Sequence, residues 1–169
     1  MKKRYVIKKG KLEITRNGRF VLKLASKITR ILKPLSRKIQ VVGSIRRGEK
    51  NPVDIDIVLI PKNKEKLRTK MEELGKFVQG GEHESTWKIQ GVKIELYYAE
   101  NSGEWGSMIL AYSSRFGAGI GLRIVAMKKG FKLNQHGLFE RRTGKKVAGN
   151  TEEEIYHALG RSWKKPEER

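Results

Sequence analysis

The chain has 169 residues, of which 38 are lysine or arginine and 18 are aspartate or glutamate, giving a net charge of +20. It contains no cysteine, which excludes disulfides, thiolate zinc sites and cysteine nucleophiles, and no apolar run approaches the roughly 20 residues needed to cross a bilayer. The basic start is not followed by a signal-peptide core, so the chain reads as soluble and intracellular; a monomer is expected, and the charge calls for a polyanionic partner, nucleic acid first.

The predicted elements begin with a short hairpin over residues 5–20, in which Tyr5-Val6-Ile7 and Leu12-Glu13-Ile14-Thr15 are β-type runs about a Lys9-Gly10 turn. From Phe20 to Lys38 the apolar residues Phe20, Leu24, Ile28, Ile31, Leu32 and Leu35 recur at helical spacing. Lys23, Lys27, Arg30, Lys33, Arg37 and Lys38 fill much of the remainder, and Pro34 marks a kink or a split. Residues 1–50 hold 17 basic and 2 acidic residues against 21 and 16 in the rest, so this region is the main expected phosphate-contacting surface.

Ile39 to Val42 reads as a strand ending in a glycine turn, and Val53 to Ile60 as a second apolar strand stopped by Pro61. Lys64 to Phe77 has helical spacing through Leu67, Met71, Leu74 and Phe77. Residues 86–89 and 92–98 form a hairpin around Gln90-Gly91, and 101–107 are composed like a connection to a second unit. A helix over 122–129, a hairpin of 131–133 and 138–140, and a capping-box helix opening at Thr151 complete the chain.

The segment from Val41 to Ile60 concentrates the chemistry. Gly43-Ser44 is followed by Arg46-Arg47-Gly48 and then by Asp54-Ile55-Asp56. Side chains alternate along a strand, so Asp54 and Asp56 share one face and Ile55, Ile57 and Leu59 the other. Two such carboxylates repel, and oxygen-only ligands favour magnesium or manganese. Glycine permits close backbone approach, while the Ser44 hydroxyl and the Arg46 and Arg47 guanidiniums suit phosphate oxygens. Glu95, sharing a face with Lys93, completes a three-carboxylate cluster if its strand pairs beside the Asp54–Asp56 strand. The pattern is that of metal-assisted phosphoryl or nucleotidyl transfer. His83, His136 and His157 lack metal-site spacing, and Gly117, Gly119 and Gly121 are not a dinucleotide fingerprint.

Gly43-Ser44-Ile45-Arg46-Arg47-Gly48 with Asp54-Ile55-Asp56 resembles the palm signature of the DNA polymerase X family, the polymerase beta-like nucleotidyltransferases. Leu122-Arg123, Lys129 to Asn134, Gly137-Leu138-Phe139 and the ending Trp163 to Arg169 are similar to that family's last subdomain. The chain resembles the minimal viral form, palm and C-terminal subdomain only. The resemblance implies an α+β fold with a polymerase beta-like palm over residues 1–103 and a small mixed C-terminal subdomain over 104–169. It implies a DNA-directed DNA polymerase that fills short gaps in repair, acting on gapped or nicked DNA and a dNTP.

The same resemblance implies that Asp54, Asp56 and Glu95 are the catalytic and metal-binding residues, with two Mg2+ ions or Mn2+ in their place. Gly43, Ser44, Arg46, Arg47, Tyr112, Arg123 and Asn134 would bind the nucleotide. Lys93, Lys129 and Lys132, with the six basic residues from Lys23 to Lys38, would bind DNA. The chain departs from the family at Glu95, where aspartate is usual, and at Tyr112-Ser113-Ser114, where an aromatic precedes Thr-Gly. The alternatives are a template-independent or tRNA-end nucleotidyltransferase, and a catalytically inactive nucleic-acid-binding module.

Overall fold

The computed structural model describes residues 4–8, 11–15 and 17–169, with side chains from residue 17 onward except Phe116. The chain divides into two compact units, one of Met1–Ile45 and Glu49–Tyr98, the other of Arg46–Gly48 and Ala99–Arg169. The architecture is α+β, as expected. Among the described residues no helix is long and apolar enough to cross a membrane.

In the first unit β1 (Arg4–Lys8) and β2 (Lys11–Thr15) pair antiparallel; the expected Lys9-Gly10 turn lies outside the described residues. Helix α1 (Gly18–Leu32) opens where the Asn17 side chain accepts the Phe20 N–H at 2.8 Å. Its expected extent to Lys38 is corrected. A single 3-10 turn (Lys33–Leu35) follows, and β3 (Ser36–Val41) carries Arg37 and Lys38. Proline cannot continue the helical ladder, and the Ser36 hydroxyl bonds back to the Leu32 carbonyl at 2.9 Å.

After one helical turn, α2 (Gly43–Arg46), the chain enters β4 (Asp54–Pro61), then α3 (Lys64–Leu74), β5 (Lys76–Gly80), β6 (Glu84–Ile89) and β7 (Val92–Tyr98). The expected helix to Phe77 ends three residues early, at Leu74, with Gly75 as its cap. Phe77 instead lies in β5 and meets the cross-strand Trp87 edge-on, centroids 5.2 Å apart. The sheet order is β3-β4-β7-β6-β5, with β4 and β7 parallel and the other pairs antiparallel. One face of it is apolar: Ile55, Ile57, Leu59, Ile94, Leu96, Trp87 and Ile89 form the core with Val21, Leu24 and Ile28 of α1 and Leu67 and Met71 of α3. That packing holds the opposite face of β4 and β7 rigid.

The second unit contains α4 (Trp105–Ser113), α5 (Phe116–Lys128), β8 (Phe131–Asn134), β9 (Gly137–Glu140), β10 (Lys146–Ala148) and α6 (Glu152–Ala158). Its antiparallel sheet has the order β10-β9-β8. The core gathers Leu110, Leu122, Ala126, Leu138, Ala148, Ile155, Tyr156 and Leu159. Helix α4 was not expected, because residues 101–107 read as a connection. It is buried through Gly106 to Leu110 and so shows no amphipathic stripe. Gly106 is required there, since a Cβ would stand 2.2 Å from the Thr151 backbone. The capping box of α6 forms as expected: Glu154 N–H donates to Thr151 Oγ1 at 3.1 Å, and the Glu154 carboxylate accepts from the Thr151 N–H.

Candidate active site

The parallel register sets Asp54 beside Lys93 and Asp56 beside Glu95. These four side chains therefore share the sheet face opposite the helices. Lys93 Nζ lies 2.6 Å from Glu95 Oε2 and 3.6 Å from Asp54 Oδ2. Burial, the charges of Asp54 and Glu95 and a hydrogen bond shared with Glu95 push the Asp56 carboxyl up to about 7, with Lys93 opposing. Burial disfavours the Lys93 ammonium, but its bond to Glu95 and the charges of Asp54 and Asp56 outweigh that and raise its pKa. The cluster is thus negative in excess and half-desolvated, and the lysine supplies part of the missing positive charge.

Among the described residues no three histidine, aspartate or glutamate side chains are gathered as a metal-ligating group. The donor set nevertheless fits a hard divalent cation: three carboxylates, no nitrogen or sulfur donor, and an aspartate whose ionisation is suppressed until more positive charge arrives.

Gly43 sits directly over this face. The Val42 N–H donates to the Asp56 carbonyl at 2.8 Å, which fixes the end of β3 to β4. Gly43 has φ +63°, and a Cβ there would lie 2.1 Å from Asp56 Oδ2. Only glycine fits, because the backbone itself is the wall of the carboxylate site. Next to it, Ser44 Oγ is buried and has no hydrogen-bond partner among the described residues. The Glu49 N–H bonds to the Ser44 carbonyl at 3.1 Å, closing the turn. An unpaired buried hydroxyl is unusual, and this one stands beside the glycine that touches Asp56.

The structure therefore brings together Gly43, Ser44, Asp54, Asp56, Lys93 and Glu95. The remaining expected nucleotide residues belong to the second unit. Arg46 makes a fork with Glu152, Nη1 to Oε1 and Nη2 to Oε2 both at 2.8 Å, and Nη1 also donates to Ser113 Oγ at 2.9 Å. Glu152 further accepts from Arg169 Nη1 at 2.6 Å and from Trp163 Nε1 at 3.4 Å. Burial pushes the Glu152 carboxyl up, but its bonds to Arg46 and Arg169 prevail and hold it below the ordinary glutamate range. Glu152 was not singled out in the sequence, where it reads as one member of an acidic first turn.

Arg47 Nη1 donates to the Ser113 carbonyl at 3.1 Å. Tyr112 is half-buried on α4, and Arg123 is exposed on α5. Asn134 Oδ1 accepts the His136 and Gly137 N–H groups at 2.9 and 3.2 Å and so caps the β8–β9 turn. Lys129 ends α5, and Lys132 is exposed on β8. In the first unit Lys23, Lys27 and Arg30 line the outer face of α1, and Lys33, Arg37 and Lys38 are exposed beyond it.

The DNA polymerase beta thumb family matches residues 120–169. A repair DNA polymerase X of African swine fever virus (isolate Pig/Kenya/KEN-50/1950) is 27% identical over 175 residues, covering 94% of this chain and 99% of that protein. The repair DNA polymerase X of isolate Tick/South Africa/Pretoriuskop Pr4/1996 is 30% identical over 149 residues, covering 82% and 85%.

Proposed function

Since this chain belongs to the DNA polymerase X family, we propose that it is a repair polymerase that fills short gaps, adding a dNMP from a dNTP to a primer 3′-hydroxyl as directed by the template. The observation that carries this reading is the β4–β7 register, which sets Asp56 beside Glu95 with Asp54 and Lys93 on the same face. Asp54, Asp56 and Glu95 would hold Mg2+ ions, two by this reading, with Mn2+ able to replace them. When bound, such ions stabilise the charge of the reacting phosphates and ease ionisation of the attacking hydroxyl.

The chain's own residues supply position and charge. Gly43 presents bare backbone to the site, so a triphosphate can approach without a Cβ in its path. Ser44 Oγ, buried and without a partner among the described residues, donates to a phosphate oxygen. Arg47, three residues on, would hold the triphosphate, and Tyr112, Arg123 and Asn134 would bind the nucleotide, as the family resemblance implies. Lys93 keeps the carboxylates together before substrate arrives and then turns to the primer backbone. Glu95, longer than aspartate by one methylene, reaches toward the primer terminus from the neighbouring strand.

The test is single-nucleotide incorporation on a one-nucleotide-gapped duplex, with each dNTP alone, in magnesium and then manganese, beside Asp56→Ala. Incorporation directed by the template and abolished in the variant is the expected result. Incorporation that ignores the template would replace this reading with a terminal transferase, and DNA binding without incorporation would replace it with an inactive binding module.

A further inference from the structure

The three-stranded sheet of the second unit has two unlike faces. Leu133 and Leu138, directly opposed on β8 and β9, turn inward to the core with Ala148 of β10. By alternation Lys132 and Phe139 turn outward, and a register shift between Lys146 and Ala148 sets Lys146 beside Phe139. Phe139 stands on the central strand, with Lys132 opposite it on β8 and Lys146 opposite it on β10. An aromatic ring is thus flanked by a lysine on each side along one row of the sheet, and neighbouring strands lie about 4.8 Å apart. Lys146 Nζ lies over the Phe139 ring, 5.9 Å from its centre, and donates to the Gly103 carbonyl at 2.8 Å, a bond to a neutral oxygen that a phosphate can replace.

Beside this row is a cavity of about 330 Å³ lined by Lys132, Asn134, Phe139, Glu140, Arg141 and Gly144. Residues 128–146 carry seven basic residues and a single acidic one, Glu140. The carboxylate of Glu140 accepts the Thr143 hydroxyl, and its backbone N–H bonds to the Lys145 carbonyl at 2.8 Å. It is spent on the turn that displays Arg141, Arg142 and Lys145. The surface is therefore predominantly basic around one aromatic ring, with the Glu140 carboxylate as its one negative charge.

That combination is what unstructured single strands require: a π-face that accepts any base and cations spaced to follow the phosphates. We propose that the Lys132–Phe139–Lys146 row and its cavity form a single-strand platform that takes an unpaired template nucleotide beyond the insertion position, its base stacked on Phe139 and its flanking phosphates on Lys132, Arg141 and Lys146. The choice of template strand rests on the polymerase reading above. The platform itself rests on the sheet. None of its residues belongs to the carboxylate cluster.

Binding of the full chain to three recessed duplexes, read by fluorescence anisotropy, tests it. One duplex has no template beyond the insertion position, one has four adenine nucleotides there, and one has four abasic nucleotides with the same phosphates. The base-bearing overhang binds about 5- to 100-fold more tightly than the abasic one, the range for one base stacked on an aromatic ring. Phe139→Leu, which keeps the apolar bulk, removes that gain, and Phe139→Trp retains it. A parent protein that binds both overhangs alike overturns the proposal, as does a folded Phe139→Leu protein with the gain intact.

If Phe139→Leu fails to fold, the unaltered protein decides. Photocrosslinking of an iodouracil-bearing overhang yields an adduct within residues 131–146, and adducts only elsewhere overturn the platform. Gap filling on the same preparations separates the two readings. Nucleotide incorporation without a base-dependent gain removes the platform alone. A base-dependent preference for single-stranded octamers through Phe139, without incorporation, removes the polymerase and the template assignment but keeps the platform.

Discussion

Asp56 pits function against stability within one side chain. Its carboxyl rises from 3.8 to about 7 because burial and two neighbouring carboxylates oppose its charge. Between those values the folded protein keeps a proton that the unfolded chain has released. Stability therefore falls as pH rises from about 4 to 7, by at most about 4 kcal/mol from this group. Asp56→Asn removes both the charge and the dependence. In a chelator, urea unfolding at pH 5 and pH 8 should show the parent losing more stability with pH than the variant, and the variant should be the more stable at pH 8 while incorporating no nucleotide. A parallel decline in both proteins would assign the pH dependence to other groups.

Ser44 is the complementary case at the same scale. Its hydroxyl is buried and has no partner among the described residues, so removing it deletes no bond seen among them. Ser44→Ala should leave the melting temperature within a few degrees. A hydrogen bond to a charged group contributes about 1.5–3 kcal/mol, so the dNTP KM should rise about 10- to 100-fold. Steady-state gap filling against dNTP concentration measures it, and an unchanged KM would remove Ser44 from the triphosphate site.

Among the elements of the second unit, the N-terminus of α6 is held by charge. Glu152 accepts from two guanidiniums, Arg46 and Arg169, and is itself buried. Deleting one member of such a group strands the others, which typically costs about 3–5 kcal/mol. Glu152→Ala should lower stability by that amount at neutral pH. Because the carboxyl of Glu152 is held below the ordinary range, its contribution is complete above the unfolded-chain pKa and is lost as pH falls through the lower folded value. The parent and the variant should therefore converge in strong acid, and thermal melts from pH 7 downward would reveal a constant gap if the bridge were not the cause.

This bridge also shows why some of the molecule was illegible. Arg46 and Glu152 are 106 residues apart, and an acidic residue in a first helical turn is fully accounted for by local rules, so nothing in either segment announced the pair. Asp54, Asp56 and Glu95 were legible for the opposite reason: strand alternation orients each locally, and only the pairing of β4 with β7 had to be supplied. Helix periodicity overran at Phe77 because a strand residue happened to fall at the next helical position. It overran at Leu35 because Pro34 ends α1 while the apolar spacing continues. Helix α4 was hidden because the five consecutive residues Gly106 to Leu110 are all buried, which leaves no apolar stripe to read.

At the scale of the whole molecule the net charge of +20 sets the terms of association with DNA. Among the described side chains of the first unit, an exposed basic stretch is formed by Lys23, Lys27 and Arg30 on α1 with Lys33, Arg37 and Lys38 just after it. Lys23, Lys27 and Arg30 lie on the face of α1 opposite the buried Val21, Leu24, Ile28 and Leu32, and all six side chains are exposed, so replacing them leaves the core untouched. Each phosphate contact releases condensed counterions and contributes about 0.9 to the slope of log affinity against log salt. Changing all six to glutamine should therefore flatten that slope by up to about 5 and weaken binding most strongly at low salt. Gapped-duplex affinity measured from 50 to 300 mM potassium chloride gives both slopes directly. A variant with the parent's slope would show that this face stays clear of the duplex. A variant with lower affinity but an unchanged slope would mean that the loss arises from something other than phosphate contact.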